Sequence, residues 1–109
     1  MHEDEIPPGT LYLLILKALA RGGELHGYEI ANWIEQVSGE VLQVEEGSLY
    51  PALQRMLIKG WVTAKWGVTA GNRRARYYRL TPLGRKQLEV EVSQFQRVVQ
   101  AITRAIQTA

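Results

Sequence analysis

Two runs hold most of the chemistry available to this chain: Gly47-Ser48-Leu49-Tyr50-Pro51-Ala52-Leu53-Gln54-Arg55-Met56 and Asn72-Arg73-Arg74-Ala75-Arg76-Tyr77-Tyr78-Arg79-Leu80-Thr81. Gln54 and Arg55 suit base edges, because Gln pairs bidentately with adenine and Arg with guanine. Ser48 and Tyr50 offer hydroxyls near a helix start, where backbone N–H groups also favour phosphate. Arg73, Arg74 and Arg76 have no acidic residue among them. With Lys65 upstream they suit a phosphate backbone or a minor groove. Arg79, beside Leu80 at the base of the same strand, is read instead as an ion-pair partner within the fold. Tyr77 and Tyr78 interleave with the arginines. That pattern fits single-strand stacking, or a half-buried strand with one tyrosine packed inward on Leu53 or Leu57.

Other chemistries lack their residues. The chain has no cysteine, hence no disulfide framework, thiol nucleophile or zinc-finger spacing. His26 is the only histidine outside the N-terminal arm, and it is read as a helix-start residue, not a ligand. No P-loop glycine pattern, nucleophile elbow or acidic pair with a supporting base is present. The expectation is a protein that is not an enzyme and needs no cofactor or metal.

Charge distribution says more than net charge. At 109 residues the chain is sized for one domain, with a formal net charge of +2. From Met1 to Glu46 nine acids face only Lys17 and Arg21. From Gly47 onward eleven bases face only Glu89 and Glu91. Such asymmetry points to a surface that meets a polyanion. The longest apolar stretch, Leu11 to Leu16, is too short to span a bilayer, and the acidic N-terminus is unlike a secretory signal. A cytoplasmic protein with no membrane partner is expected.

These side chains need elements to hold them. Residues 1–9, with three acids and Pro7-Pro8, are expected to form a flexible acidic arm. Thr10 is placed as the N-cap of a first helix ending near Gly22-Gly23. Leu11, Leu14, Ile15, Ala18 and Leu19 share one face of that helix; Leu13, Leu16 and Ala20 occupy the other, so the second face is expected to meet another subunit. A second helix spans roughly Gly27 to Ser38, with Ile30, Ile34 and Val37 inward and Glu29 and Glu35 outward. Trp33 borders the stripe, as core or interface. Val41 to Val44 fits either a short strand or a tight connection.

The third helix is expected from about Glu46 to Lys59, with Glu45 and Glu46 at the positive end of its dipole and Gly60 ending it. Pro51 is tolerated only near its first turn. Leu49, Leu53, Met56 and Leu57 make its inward stripe. Trp61–Trp66 and Arg73–Leu80 read as two strands of a hairpin with residues 67–72 at the tip. Alternation puts Arg74 and Arg76 on one face and Arg73 on the other. Thr81 then caps a last helix with Pro82 at its first position. Its apolar residues Leu88, Val92, Phe95, Val99, Ile102 and Ile106 fall at spacings of a heptad seam. A helix about 40 Å long outruns so small a core, so part of the seam is expected to pair with a second chain. The fold class is mainly α with a small β-hairpin wing (α+β). It comprises a winged helix-turn-helix over residues 10–81 and a long C-terminal dimerisation helix over 82–109.

With these residues in view, the chain resembles the PadR family of bacterial transcriptional regulators, in a short form with a single C-terminal dimerisation helix. The resemblance rests on His26-Gly27-Tyr28-Glu29-Ile30, Gly47-Ser48-Leu49-Tyr50-Pro51-Ala52-Leu53, Gly60-Trp61-Val62 and Arg74-Ala75-Arg76-Tyr77-Tyr78-Arg79-Leu80-Thr81 with Gly84. It covers about Thr10 to Ile106, and the order and spacing of the fragments carry its specificity. It implies a homodimer joined through the first and last helices, binding palindromic double-stranded operators as a repressor. Tyr50 and its neighbours, with the ribbon arginines, would be the DNA-contacting set. It also implies that a small aromatic effector could enter a pore between subunits lined by Leu13, Leu16, Val92 and Phe95. Phe95 stands where tryptophan is common in the family, so the face stays apolar but the larger indole is lost. A dry packed seam is the alternative for that pore. For the whole chain, the alternative is a protein-interaction module on the same scaffold without specific DNA binding.

Overall fold

The computed structural model describes residue 6 and residues 8–109. Four helices and three strands follow in the order α1 (Pro8–Gly22), β1 (Glu24–His26), α2 (Gly27–Val37), α3 (Glu46–Ile58), β2 (Val62–Val68), β3 (Arg74–Leu80) and α4 (Pro82–Gln107). The strands form one antiparallel sheet in the order β1-β3-β2. The core is built from Leu11, Ile15, Leu16, Ala18 and Leu19 of α1, Ile30 and Ile34 of α2, and Leu49, Ala52, Leu53 and Met56 of α3. Val62, Tyr78 and Leu80 close it from the sheet.

Several expectations change here. The first helix starts at Pro8, not after Thr10. Proline fits a first helical position, where its fixed φ suits the helix and its missing N–H is no loss. Of the expected arm, residues 1–5 and 7 lie outside the described residues, while Ile6 is buried against the core. Leu16, assigned to the far face of α1, has no exposed surface and belongs to the chain's own core. The first helix also packs against α4. At the end of α2, Val37 is exposed instead of inward. Glu35 turns partly inward, and its carboxylate accepts the Val44 backbone N–H at 3.0 Å. That bond holds the α2–α3 segment as a connection with no extended strand.

The third strand, β1, was not foreseen. Three residues are too few for an alternation to show, and β1 exists only because β3 offers it an edge, pairing Leu25 with Tyr78 and His26 with Tyr77. Pro51 sits in the second turn of α3, one turn deeper than its chemistry prefers. It lies on the exposed side, where water can satisfy the carbonyl left without a partner.

The foreseen termini are realised in detail. Past α3, Gly60 takes φ +77°, and Trp61 N–H donates to the Met56 carbonyl while Gly60 N–H donates to Leu57, a Schellman stop. Thr81 caps α4: its Oγ1 accepts from Gly84 N–H at 3.0 Å and donates to the Gly60 carbonyl at 2.6 Å. Its own N–H donates to the Trp61 carbonyl at 3.0 Å. One residue thus ties the end of α3, the base of the hairpin and the start of α4. Gly84 packs so tightly here that an added Cβ would fall 2.0 Å from the Trp61 oxygen, the same atom that Thr81 uses. Backbone cannot swing aside as a side chain can. Gly84→Ala is therefore expected to cost roughly 1–3 kcal/mol, toward the upper end, read as a lower urea midpoint with an unchanged m-value.

Candidate nucleic-acid interface

The hairpin β2–β3 closes through a three-residue loop, Ala70 to Asn72. Asn72 N–H donates to the Thr69 carbonyl and Thr69 N–H to the Arg73 carbonyl. Asn72 takes φ +63°, a left-handed conformation that asparagine tolerates better than most residues. The ribbon continues past the core. On the face that carries the buried Val62, Tyr78 and Leu80, the outer positions are Trp66, Val68, Arg74 and Arg76. Between this face, the start of α2 and one edge of α3 lies a cleft of about 720 Å³. Its lining includes His26, Gly27, Tyr28, Tyr50, Trp66, Arg73, Arg74, Arg76 and Tyr78.

Each wall is held by identifiable contacts. His26 is the helix-start residue expected, and its N–H donates to the Glu29 carboxylate at 3.1 Å. Its ring meets Tyr77 edge-on at 5.3 Å, joining α2 to the ribbon's back face. Tyr50 lies across Gly27, where an added Cβ would stand 2.8 Å from its hydroxyl. Nothing larger than glycine lets α2 start there with Tyr50 in place. Tyr78 is the inward tyrosine. Burial pushes its hydroxyl above the usual value of 10.0, and the Arg76 guanidinium beside it pulls the other way.

The structure brings together Tyr50, Arg73, Arg74 and Arg76 from the sequence-predicted set. Arg73 was expected on the opposite face from Arg74. It lies instead just before β3, directly after the left-handed Asn72 and outside the regular strand, and it lines the same cleft. Lys65 is placed otherwise. It points to the opposite face and lies 3.4 Å from Glu24 on β1, an exposed pair with little effect on stability. Arg79, expected in an ion pair, is exposed and has none among the described residues, because its register neighbour Glu24 is engaged by Lys65.

The third helix divides its candidates into two edges. Residues two apart on a helix differ by about 160°, residues four apart by about 40°. Tyr50 and Gln54 therefore share the wing side. Ser48 and Arg55 share the other. Arg55 is drawn toward α1: its Nε donates to the Tyr12 hydroxyl, and its guanidinium lies 5.7 Å from the Tyr12 ring centroid. Between the edges the exposed strip carries Gly47, Pro51 and Ile58. Trp66 was missed as a site residue. Its signal was the hairpin register, which sets it opposite Arg76 and diagonal to Arg74.

The apolar seam divides in the same way. Leu13, Leu88 and Val92 are half-buried within the chain, and Leu16 is lost to the core. Phe95, Val99, Ile102 and Ile106 stand exposed, and every residue of α4 from Ser93 onward lacks cover. No helix among the described residues is long and apolar enough to cross a membrane.

A helix with an open polar edge beside an arginine-bearing ribbon is the arrangement of a winged helix-turn-helix. Known structures agree. A transcriptional regulator from Clostridium thermocellum superposes with a TM-score of 0.79 at 28% identity, over 88% of this chain and 92% of that one. Bacillus subtilis PadR in complex with operator DNA superposes with a TM-score of 0.67 at 25% identity, over 76% of this chain and 46% of that one. In sequence, the negative transcriptional regulator PadR of Bacillus subtilis is 27% identical over 70 residues, 64% of this chain and 38% of that protein. Residues 15–90 match the transcriptional regulator PadR-like family, and the chain belongs to that family.

Tyr78 yields a pH test. Its proton is held more tightly in the folded than in the unfolded chain, so its stabilisation is complete below about pH 10 and drains away as pH rises further. Unfolding free energy measured from pH 8 to 11 is expected to fall more steeply in the native sequence than in Tyr78→Phe.

Proposed function

We propose that this protein is a homodimeric repressor that binds a palindromic operator in cytoplasmic DNA, with α3 in the major groove and the wing on the flanking backbone. The observation that carries this reading is the cleft in which Tyr50 of α3 faces Arg73, Arg74 and Arg76 of the wing. Operator-bound PadR supports it as a similar structure, and so does the negative regulation named for that relative. Tyr50 and the arginines would set the register on phosphates, and Gln54 would read a base edge. Ser48 and Arg55, on the other edge of α3, would meet the opposite side of the groove. Lys65, turned away with Glu24, is left out of the contact set.

The homodimer rests on the bare α4. Phe95, Val99, Ile102 and Ile106 form a stripe that a second copy can cover, as in a coiled-coil seam. Two-fold symmetry would then set the two α3 helices about 34–36 Å apart, one duplex turn. Phe95, partly exposed on that seam beyond the half-buried Val92, is where a flat aromatic effector would stack.

The test is fluorescence anisotropy with the duplex of the gene's own upstream region and a scrambled duplex, at several salt concentrations. Selective binding is expected, with log K falling by roughly 0.9 per phosphate contact per decade of salt. Arg74→Ala with Arg76→Ala should weaken both duplexes alike and flatten that slope; Gln54→Ala should narrow the gap between them. Equal weak binding to both, indifferent to salt, would replace this reading with a protein-docking module. Ile102→Asp is expected to yield a monomer by mass measurement. Loss of the second half-site contact should lower operator affinity by roughly a hundredfold or more.

A further inference from the structure

We propose that Trp66 is a positioning residue for the wing, whose indole holds Arg74 and Arg76 as a pre-arranged pair of cations facing the cleft. The inference rests on the duplex-binding reading above. Trp66 is 60% exposed, so burial does not explain a tryptophan at this position. Its cross-strand partner is Arg76, and Arg74, opposite Val68, is its diagonal neighbour on the same face. Both reach the ring: the guanidinium carbon of Arg74 lies 4.8 Å from the indole centroid and that of Arg76 lies 6.0 Å away.

Neither arginine has a carboxylate partner among the described residues. Two guanidiniums on one strand face repel each other, and free arginine side chains would spread apart into water. The Tyr78 hydroxyl steadies Arg76 from one side, and the negative face of the indole, shared by both guanidiniums, supplies the attraction that keeps the pair together. Cross-strand and diagonal positions are the ones an aromatic side chain can reach across a hairpin. An arginine held before binding loses less side-chain freedom when it meets a phosphate. That saving corresponds to roughly two- to tenfold in affinity for each side chain. Trp66 therefore acts through the arginines, on affinity for any duplex, and adds no phosphate contact of its own.

The experiment compares the full chain with W66F, W66L and the R74A/R76A double variant. Anisotropy titrations use the upstream and scrambled duplexes across a range of salt, and NMR follows the arginine side-chain protons of the free proteins. Native protein and W66F should show ring-current upfield shifts at Arg74 and Arg76 and bind alike. W66L keeps apolar bulk without a π face. It should lose those shifts and bind both duplexes roughly tenfold more weakly, with the salt slope unchanged. The double arginine variant should lose affinity and slope together. The positioning role is overturned if W66L binds as tightly as native protein, if W66F fares no better than W66L, or if W66L also loses slope. Native protein that shows the shifted arginines yet binds no duplex would remove the duplex-binding reading, and the positioning role with it.

Discussion

Three backbone segments meet at Thr81, and the geometry of everything beyond the core depends on that meeting. Thr81 donates to the carbonyl of Gly60, just past the end of α3, and accepts from the first turn of α4 through Gly84. Its backbone bonds to Trp61 at the foot of β2. The hairpin, α3 and α4 are therefore not free to swing independently. The angle between wing and α3 sets the width of the cleft, and the direction of α4 sets where its bare stripe lies. Gly84 permits the close approach that makes this possible, because the space where a side chain would begin is occupied by backbone.

Among the described residues, cations near the open surface are organised by aromatic rings more than by carboxylates. Arg55 rests on Tyr12, Lys59 lies 5.2 Å from the Trp61 ring centroid, and Arg74 and Arg76 flank Trp66. Tyr12 and Trp61 in turn meet edge to face at 5.7 Å. A carboxylate in those places would neutralise the surface that a polyanion must meet. A ring steadies a guanidinium and leaves its charge intact. Where a carboxylate does take a wing cation, at Glu24 and Lys65, the pair is on the face turned from the cleft.

Unlike the rest of the fold, α4 serves two environments along one helix. Its first turns pack against α1 and the base of the sheet, through Gly84 and Leu88. Its later turns carry valine, isoleucine and phenylalanine into solvent. A 26-residue helix cannot be wrapped by a core drawn from three short helices and a small sheet. Its uncovered apolar surface is the feature least compatible with an isolated chain.

Sequence alone placed the helices, the hairpin and the caps at Gly60 and Thr81, though not the start of α1, because periodicity, the Thr81-Pro82 start and the Gly60 stop are local properties that each segment carries alone. It also determined that Arg74 and Arg76 share a face, since strand alternation has a period of two. Other outcomes required the assembled structure. Leu16 went to the core, in a helix that also packs against α4. Arg55 went to Tyr12, and Lys65 to Glu24, because residues distant in sequence arrived beside them. Arg73 joined the cleft because a single left-handed residue redirected the chain. The strand at Leu25 formed because β3 lent it an edge. Each is a contact between segments, and a long side chain with several staggered choices takes the one its neighbours reward. Local pattern fixes where a side chain starts; tertiary packing decides where its charge ends.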